Sequence, residues 1–236
     1  MSVIIAAAAA AVAAATAGKP KKLKNIGAKK KAWLDKFTPV AKEICKANGV
    51  PFQVCVTQAA LESGWGEKAA GFNYFGIKGS GDAGTQEFVS SEFLKGQTVS
   101  KKMHFAKFSS MAAGIQGYCN VMTKNPRFSK ASELFPTDPV SFFIWIWSAG
   151  YATSPSYVST CIGVISVLYR ATGDEDYNVV ATKAQRAIIA KLVGTKPGKT
   201  RMAAALKALN VPEQTASAVM AEFDSTQPLP LEFATA

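Results

Sequence analysis

The sequence predicts an α+β fold: a mostly helical body with one small antiparallel β-hairpin, followed by a small C-terminal helical module. Three observations carry this. Apolar residues recur at helical spacing through most of the 236 residues. The period changes to two over residues 86–108, on either side of Lys95-Gly96. After Gly173 the composition shifts to short amphipathic stretches. The chain accordingly divides into an Ala-rich apolar segment and polybasic linker (1–31), a globular body (32–173), and a helical module with an irregular tail (174–236).

The first segment, "VIIAAAAAAVAAATAG", is short of the ~20 residues that span a bilayer. Ala15-Thr16-Ala17 resembles a small-residue cleavage site, yet no Lys or Arg precedes the apolar run as a secretory signal requires. Lys19, Lys21, Lys22, Lys24, Lys29, Lys30 and Lys31 follow it instead. Two readings stay open: an Ala-rich packing helix or peripheral membrane anchor, and a cleaved signal.

The body begins with "AWLDKFTPVAKEICKANGV", apolar at Trp33, Leu34, Phe37, Val40, Ala41 and Ile44 and stopped at Asn48-Gly49, a helix. A second helix opens at Pro51 and ends before Gly64. A glycine-dense loop runs from Gly64 to Gly84. In the hairpin, Phe88, Ser90, Glu92 and Leu94 share one face, and a second alternating run spans Val99 to Phe105. "SSMAAGIQGYCNVMTKNP" is a helix capped by Ser109 or Ser110 and halted near Pro126. "DPVSFFIWIWSAG" has proline in its first turn and is apolar on all sides, which predicts a buried helix. "SPSYVSTCIGVISVLYRATG" is a helix ended by Gly173, and three short amphipathic helices fill the module.

Composition narrows the chemistry. A hydrophobic fraction of 48% with 14 Phe supports a packed core. A net charge of +11 and a pI near 9.5 favour anionic surroundings: cell-wall polymers, membrane surfaces or nucleic acid. Cys45, Cys55, Cys119 and Cys161 lie in apolar runs without paired spacing, which predicts buried free thiols and no zinc site. A single histidine, His104, sits in the alternating stretch as a half-exposed strand residue, so a His-dependent triad would have to use it. "GTKPGKT" encloses three residues between its glycines where a phosphate loop needs four, and reads as an interhelical loop with Thr200 as cap. Asp174-Glu175-Asp176 lacks the alternating spacing of a calcium loop.

The carboxylates carry the chemistry. Glu62 stands in the last turn of its helix, where unpaired carbonyls disfavour a negative charge by about 0.3–1 kcal/mol. One and two turns back lie Gln58, Ala59 and Cys55, a mostly apolar strip. Desolvated by Trp65 and neighbouring aromatics, Glu62 is expected to have a raised pKa and to donate a proton near neutrality. Glu92, on the hairpin face of Phe88 and Leu94, is the second candidate, and two carboxylates across a cleft are the requirement for glycoside hydrolysis. Glu87, five residues earlier, lies on the opposite face; a bulge or register slip would exchange the two.

The motifs "QAALESGWG", "FNYFGIKG", "SSEF", "FSSMAAGIQGYCNVMTKNPRF" and "SAGYATSPSY" occur in the order found in glycoside hydrolase family 73, which the chain resembles over residues 33–170. These are peptidoglycan-cleaving β-N-acetylglucosaminidases, among them the flagellar rod-associated muralytic type. The resemblance implies a lysozyme-like fold, Glu62 as proton donor, Glu92 as base or water-activator, and Tyr151 as the tyrosine that positions the reacting sugar. It places Trp65, Asn73, Phe75 and Lys78 in motifs that line the cleft or support its floor. For Asn73 and Lys78, sugar contact and loop capping both remain; for Trp65 and Phe75, so does core packing. It implies no metal and no cofactor, bacterial peptidoglycan as substrate, and action at the cell wall.

Two alternatives stand beside this expectation. One is a lytic transglycosylase of the same fold. The other is a structural assembly protein that retains the domain, with virion partners bound through the N-terminal segment and C-terminal module. A phage virion is favoured over a secreted protein because the N-terminus is a poor signal peptide. No specific nucleic acid is expected.

Overall fold

The computed structural model describes residues 26–94 and 97–225; for residues 89–94, 97–101, 224 and 225 the description is of backbone alone. The Ala-rich segment, the lysines before residue 26, the Lys95-Gly96 turn and the tail beyond Ser225 lie outside the described residues.

Helix α1 (Ala28–Ala47) starts four residues ahead of the boundary drawn from composition. Lys31 lies in its first turn and pairs with Asp35 at 2.7 Å, one turn on, which offsets part of the cost of cations at a helix N-terminus. Leu34, Phe37, Ala41 and Cys45 form its buried stripe, the spacing of a one-sided helix. Helix α2 (Phe52–Glu62) is buried from Val54 to Ala60. Strands β1 (Thr85–Leu94) and β2 (Gln97–Ala106) form the two-stranded antiparallel sheet, in unbroken register from Thr85 opposite Ala106 to Leu94 opposite Gln97.

Helix α3 (Met111–Lys124) is capped by Ser110, which accepts from the Ala113 N–H at 3.1 Å. Helix α4 (Pro126–Leu134) was not separated from its neighbours by the sequence pattern, although Asn125-Pro126 is a cap followed by a first-turn proline. Helix α5 (Pro139–Ser148) is capped by Asp138, and all ten of its residues are buried, as its all-round apolar sequence predicts. Helix α6 (Tyr157–Thr172) ends on Gly173 at φ 66°. Helices α7 (Lys183–Val193), α8 (Lys199–Ala208) and α9 (Glu213–Ser225) complete the described chain. The cap of α8 is Gly198 at φ 85°, and Thr200, the expected cap, lies inside the helix.

Helix α5 is the central beam. The last three helices pack on α4 and α5 and share one core with the body. The Gln185 amide of α7 donates to Asp138 and Ser141 at 3.0 and 3.1 Å. From α8, the buried Arg201 guanidinium stacks 3.9 Å from the Trp147 ring. Arg127 of α4 stacks on Phe223 of α9 at 4.7 Å. Lys42 of α1 binds Asp174 and Asp176, so the acidic cluster clamps two ends of the body. The four cysteines are buried and free, as expected.

Candidate active site

The end of α2 shows why "ESGWG" reads as it does. Gly64 adopts φ 59° just past the helix, and the Trp65 N–H turns back to the Ala60 carbonyl at 2.9 Å, a Schellman closure that requires a left-handed residue at Gly64. Ser63 is buried, donates to the Ala59 carbonyl at 2.5 Å and accepts from the Gly66 N–H at 2.8 Å. Gly66, at φ 84°, lies against the Trp33 indole so closely that a Cβ would sit 2.4 Å from it. Trp65 itself is held left-handed at φ 63°, a strained state for a side-chain-bearing residue. Four consecutive residues thus fix Glu62 as the last residue of its helix.

The Glu62 carboxyl is half-buried and has no ion pair among the described residues. Burial raises its pKa to about 7. At neutral pH a large share of the molecules therefore hold Glu62 as a neutral acid able to donate.

Tyr151 reaches the same place by the same device. The Gly150 N–H bonds the Trp147 carbonyl at 3.1 Å and the Tyr151 N–H bonds the Ile146 carbonyl at 2.9 Å, with Gly150 at φ 96°. Two helix ends, α2 and α5, are each closed by a glycine followed by an aromatic residue. The Tyr151 ring is buried between Phe128 and Tyr157, with centroids at 5.8 and 5.9 Å. Burial, and then the nearby Glu62 charge, push its phenol well above the ordinary range, so it remains a neutral hydroxyl beside the acid.

Sequence reasoning did not single out the layer beneath. Gln58, one turn before Glu62, is buried, and its amide donates to the Tyr157 hydroxyl, which in turn bonds the Cys161 thiol. The Cys161 thiol is raised by burial first and also feels the Glu62 charge. A polar residue in an otherwise apolar helical strip was the signal for Gln58.

The remaining predicted residues separate by depth. Trp65 is half-buried, edge-on to Trp33 at 6.1 Å, with Lys30 Nζ 5.2 Å from its ring centre. Asn73 is buried, and its amide donates to the Ile77 and Ala106 carbonyls at 2.8 and 2.9 Å while its oxygen accepts from the Ile77 N–H. Phe75 is stacked on Tyr118 at 4.2 Å inside the core. Lys78 is half-buried, and its backbone bridges Phe105 at the base of the hairpin. Asn73 and Phe75 thus hold the glycine-dense loop against the body, and Trp65 and Lys78 lie nearer the surface.

Glu92 stands on β1 opposite Val99. With no bulge in the register, Glu92 has the strand parity of Gln86 and Phe88 and the opposite parity from Glu87. Gln86 donates to the Ala70 carbonyl at 2.8 Å, and Phe88, itself exposed, meets the buried Phe105 at 5.6 Å. Glu87 is exposed, pairs with Lys102 at 2.8 Å and lies 4.0 Å from His104, which is itself exposed. Among the described residues no group of three or more His, Cys, Asp or Glu side chains converges on one point.

The family described as mannosyl-glycoprotein endo-beta-N-acetylglucosaminidase matches residues 38–170, from within α1 nearly to the end of α6, a span that holds Glu62, Glu92 and Tyr151. The peptidoglycan hydrolase FlgJ of Escherichia coli (strain K12) is 29% identical over 144 residues, 57% of this chain and 45% of that protein. A probable N-acetylmuramidase of Lactococcus lactis subsp. cremoris is 31% identical over 144 residues, 57% of this chain and 33% of that protein. The chain thus spans less than half the length of these relatives. The C-terminally truncated glycoside hydrolase domain of Salmonella typhimurium FlgJ has the same fold, with a TM-score of 0.50 and 27% identity over 59% of this chain and 97% of that one.

Proposed function

The chain belongs to the glucosaminidase family, and from that premise we propose that it hydrolyses the glycan strand of bacterial peptidoglycan between N-acetylglucosamine and N-acetylmuramic acid. The observation that carries the reading is Glu62: a carboxyl at a helix C-terminus, raised to about 7 by burial, with no cation to neutralise it among the described residues.

Glu62 gives its proton to the glycosidic oxygen as the bond to the anomeric carbon breaks, so the leaving sugar departs as a neutral alcohol. The carboxylate left behind takes back the proton released when water adds to the anomeric carbon, so the acid is restored for the next turnover. Glu92 assists the water or the substrate's own N-acetyl group from the hairpin, and Tyr151 shapes the subsite with a hydroxyl that stays neutral. Trp65 and Lys78 contact the sugar from the loop, over the support given by Asn73 and Phe75. The place of action is the cell wall. In the assembly reading, the N-terminal segment and C-terminal helices attach the enzyme to a virion; recovery of chain cut after Ala17 would reject that reading in favour of secretion.

The test is digestion of purified peptidoglycan by the unaltered chain and by Glu62→Gln, with products read by mass spectrometry. Reducing N-acetylglucosamine ends made by the unaltered chain alone support the hydrolase. Anhydro-muramic ends would make it a lytic transglycosylase, and cleavage by neither protein would favour an assembly protein that retains the fold.

A further inference from the structure

Between Ala181 and Asn210 the chain has seven basic residues and no acidic one. The two helices of this stretch, α7 and α8, show where the charge goes. Along α7, Ile188, Ile189 and Leu192 turn inward with Gln185, whose amide is tied to Asp138 and Ser141. Lys183, Arg186 and Lys191 are exposed on the other side. Lys196 in the connecting loop and Lys207 on α8 are exposed as well. Arg201 is the exception, buried against Trp147.

In the body, Lys31, Lys42, Lys102 and Lys130 each have an acidic partner within 2.8 Å, while Lys36, Lys46, Lys107 and Lys124 are exposed without an ion pair among the described residues. The α7–α8 stretch differs in gathering its cations where the sequence holds no acidic residue. Lys183, Arg186, Lys191, Lys196 and Lys207 have no ion pair among the described residues. Like charges gathered on one surface repel one another and destabilise the fold slightly, a cost that an anionic partner removes. The patch is also rigidly placed. Arg201 stacks on Trp147, and the Trp147 indole N–H holds the Ser154 carbonyl at 2.9 Å, in the turn that follows Tyr151. The same beam that ends at the candidate active site carries the basic surface.

We propose that the exposed face of α7, its loop and α8 is a second, non-catalytic attachment surface for the carboxylate-bearing peptidoglycan polymer. It holds the enzyme on its insoluble polyanionic substrate by charge while the cleft works on one strand. This rests on the hydrolase reading for the identity of the polymer, but the surface itself stands on charge and exposure.

The test uses full-length chain carrying Glu62→Gln, so that nothing is digested, with and without Lys183→Gln, Arg186→Gln, Lys191→Gln and Lys196→Gln together. Co-sedimentation with purified sacculi is measured as salt is raised, and again with sacculi whose carboxylates have been amidated. The expected result is that the fourfold change weakens retention about tenfold at low salt and flattens its salt dependence, and that amidation of the wall does the same to the parent. In a Glu62-containing chain, the fourfold change leaves turnover of soluble glycan fragments unaltered. Equal retention of both proteins overturns the proposal. Retention on vesicles containing phosphatidylglycerol but not on sacculi also overturns it and assigns the face to a membrane. Patch-dependent retention by a chain that cleaves no soluble glycan supports this surface and removes the hydrolase reading, so the two failures are separable. Unchanged far-ultraviolet circular dichroism of the fourfold variant excludes unfolding as the cause.

Discussion

Glu62 and Glu87 are the same residue type in opposite circumstances. Glu87 lies on an exposed hairpin strand with Lys102 2.8 Å away and solvent around it. Glu62 ends a buried helix, has no ion pair among the described residues, and is raised to about 7 by loss of water. An exposed carboxylate–lysine pair is screened by solvent and is worth little. A half-buried, uncompensated one keeps its proton and can transfer it. The difference teaches that depth and the sign of the neighbours decide which glutamate of this chain is an acid, and residue identity does not.

The comparison breaks most sharply at Glu62 itself. Replacing the acid by the isosteric amide, Glu62→Gln, is expected to lower turnover of soluble glycan about 10²- to 10⁴-fold with the fold intact. The turn that positions it is next. Gly66→Ala would force a left-handed alanine against the Trp33 indole, and should destabilise by about 1–3 kcal/mol in denaturant unfolding, with activity falling as the helix end shifts.

A third effect has the opposite sign. The folded Glu62 carboxyl is raised from its ordinary 4.5 to about 7, so the native state keeps a proton that the unfolded chain releases. Stability is therefore highest below the unfolded pKa, falls as pH climbs from 4.5 to 7, and levels off above. Glu62→Gln lacks this loss. It should unfold at higher denaturant than the parent at pH 8, by about 1–3 kcal/mol, and show no such advantage at pH 4.

The smallest effects belong to the hairpin's outer face. Glu87→Gln should change stability by less than about 1 kcal/mol and leave activity unaltered, because it removes only an exposed pair. Glu92→Gln should lower activity clearly more than Glu87→Gln does. Equal effects of the two on turnover would show that strand parity does not distinguish them.

Much of this was legible in the sequence because it is local. The placement of Glu62 follows from Pro51 and Gly64 bracketing one helix, and the burial of α5 from the apolar run Phe142 to Trp147 at its centre. The hairpin's period of two gave its faces without the fold. What was not legible depends on contacts distant in the chain. The closeness of Trp33 to Gly66, which makes the second glycine of "GWG" necessary, joins α1 to the turn after α2. The burial of Arg201 against Trp147 joins α8 to α5, and nothing in "KTRMAAALKA" separates Arg201 from the exposed Lys207 of the same helix. Asn73 spends its amide on Ile77 and Ala106, the latter 33 residues away, and nothing in "GFNYFG" announces the partner. Helix α4 was missed because its nine residues follow α3 across a single linking asparagine.

The central claim is that Glu62 is a neutral acid near physiological pH, and direct titration tests it. The carboxyl carbon of Glu62, identified by its absence in Glu62→Gln, would be followed by ¹³C NMR across pH 3 to 9 in parallel with turnover of soluble glycan. The account predicts a midpoint at about 7, with activity falling through the same pH as the proton is lost. A midpoint at the ordinary 4.5, with activity undiminished to pH 8, would contradict it.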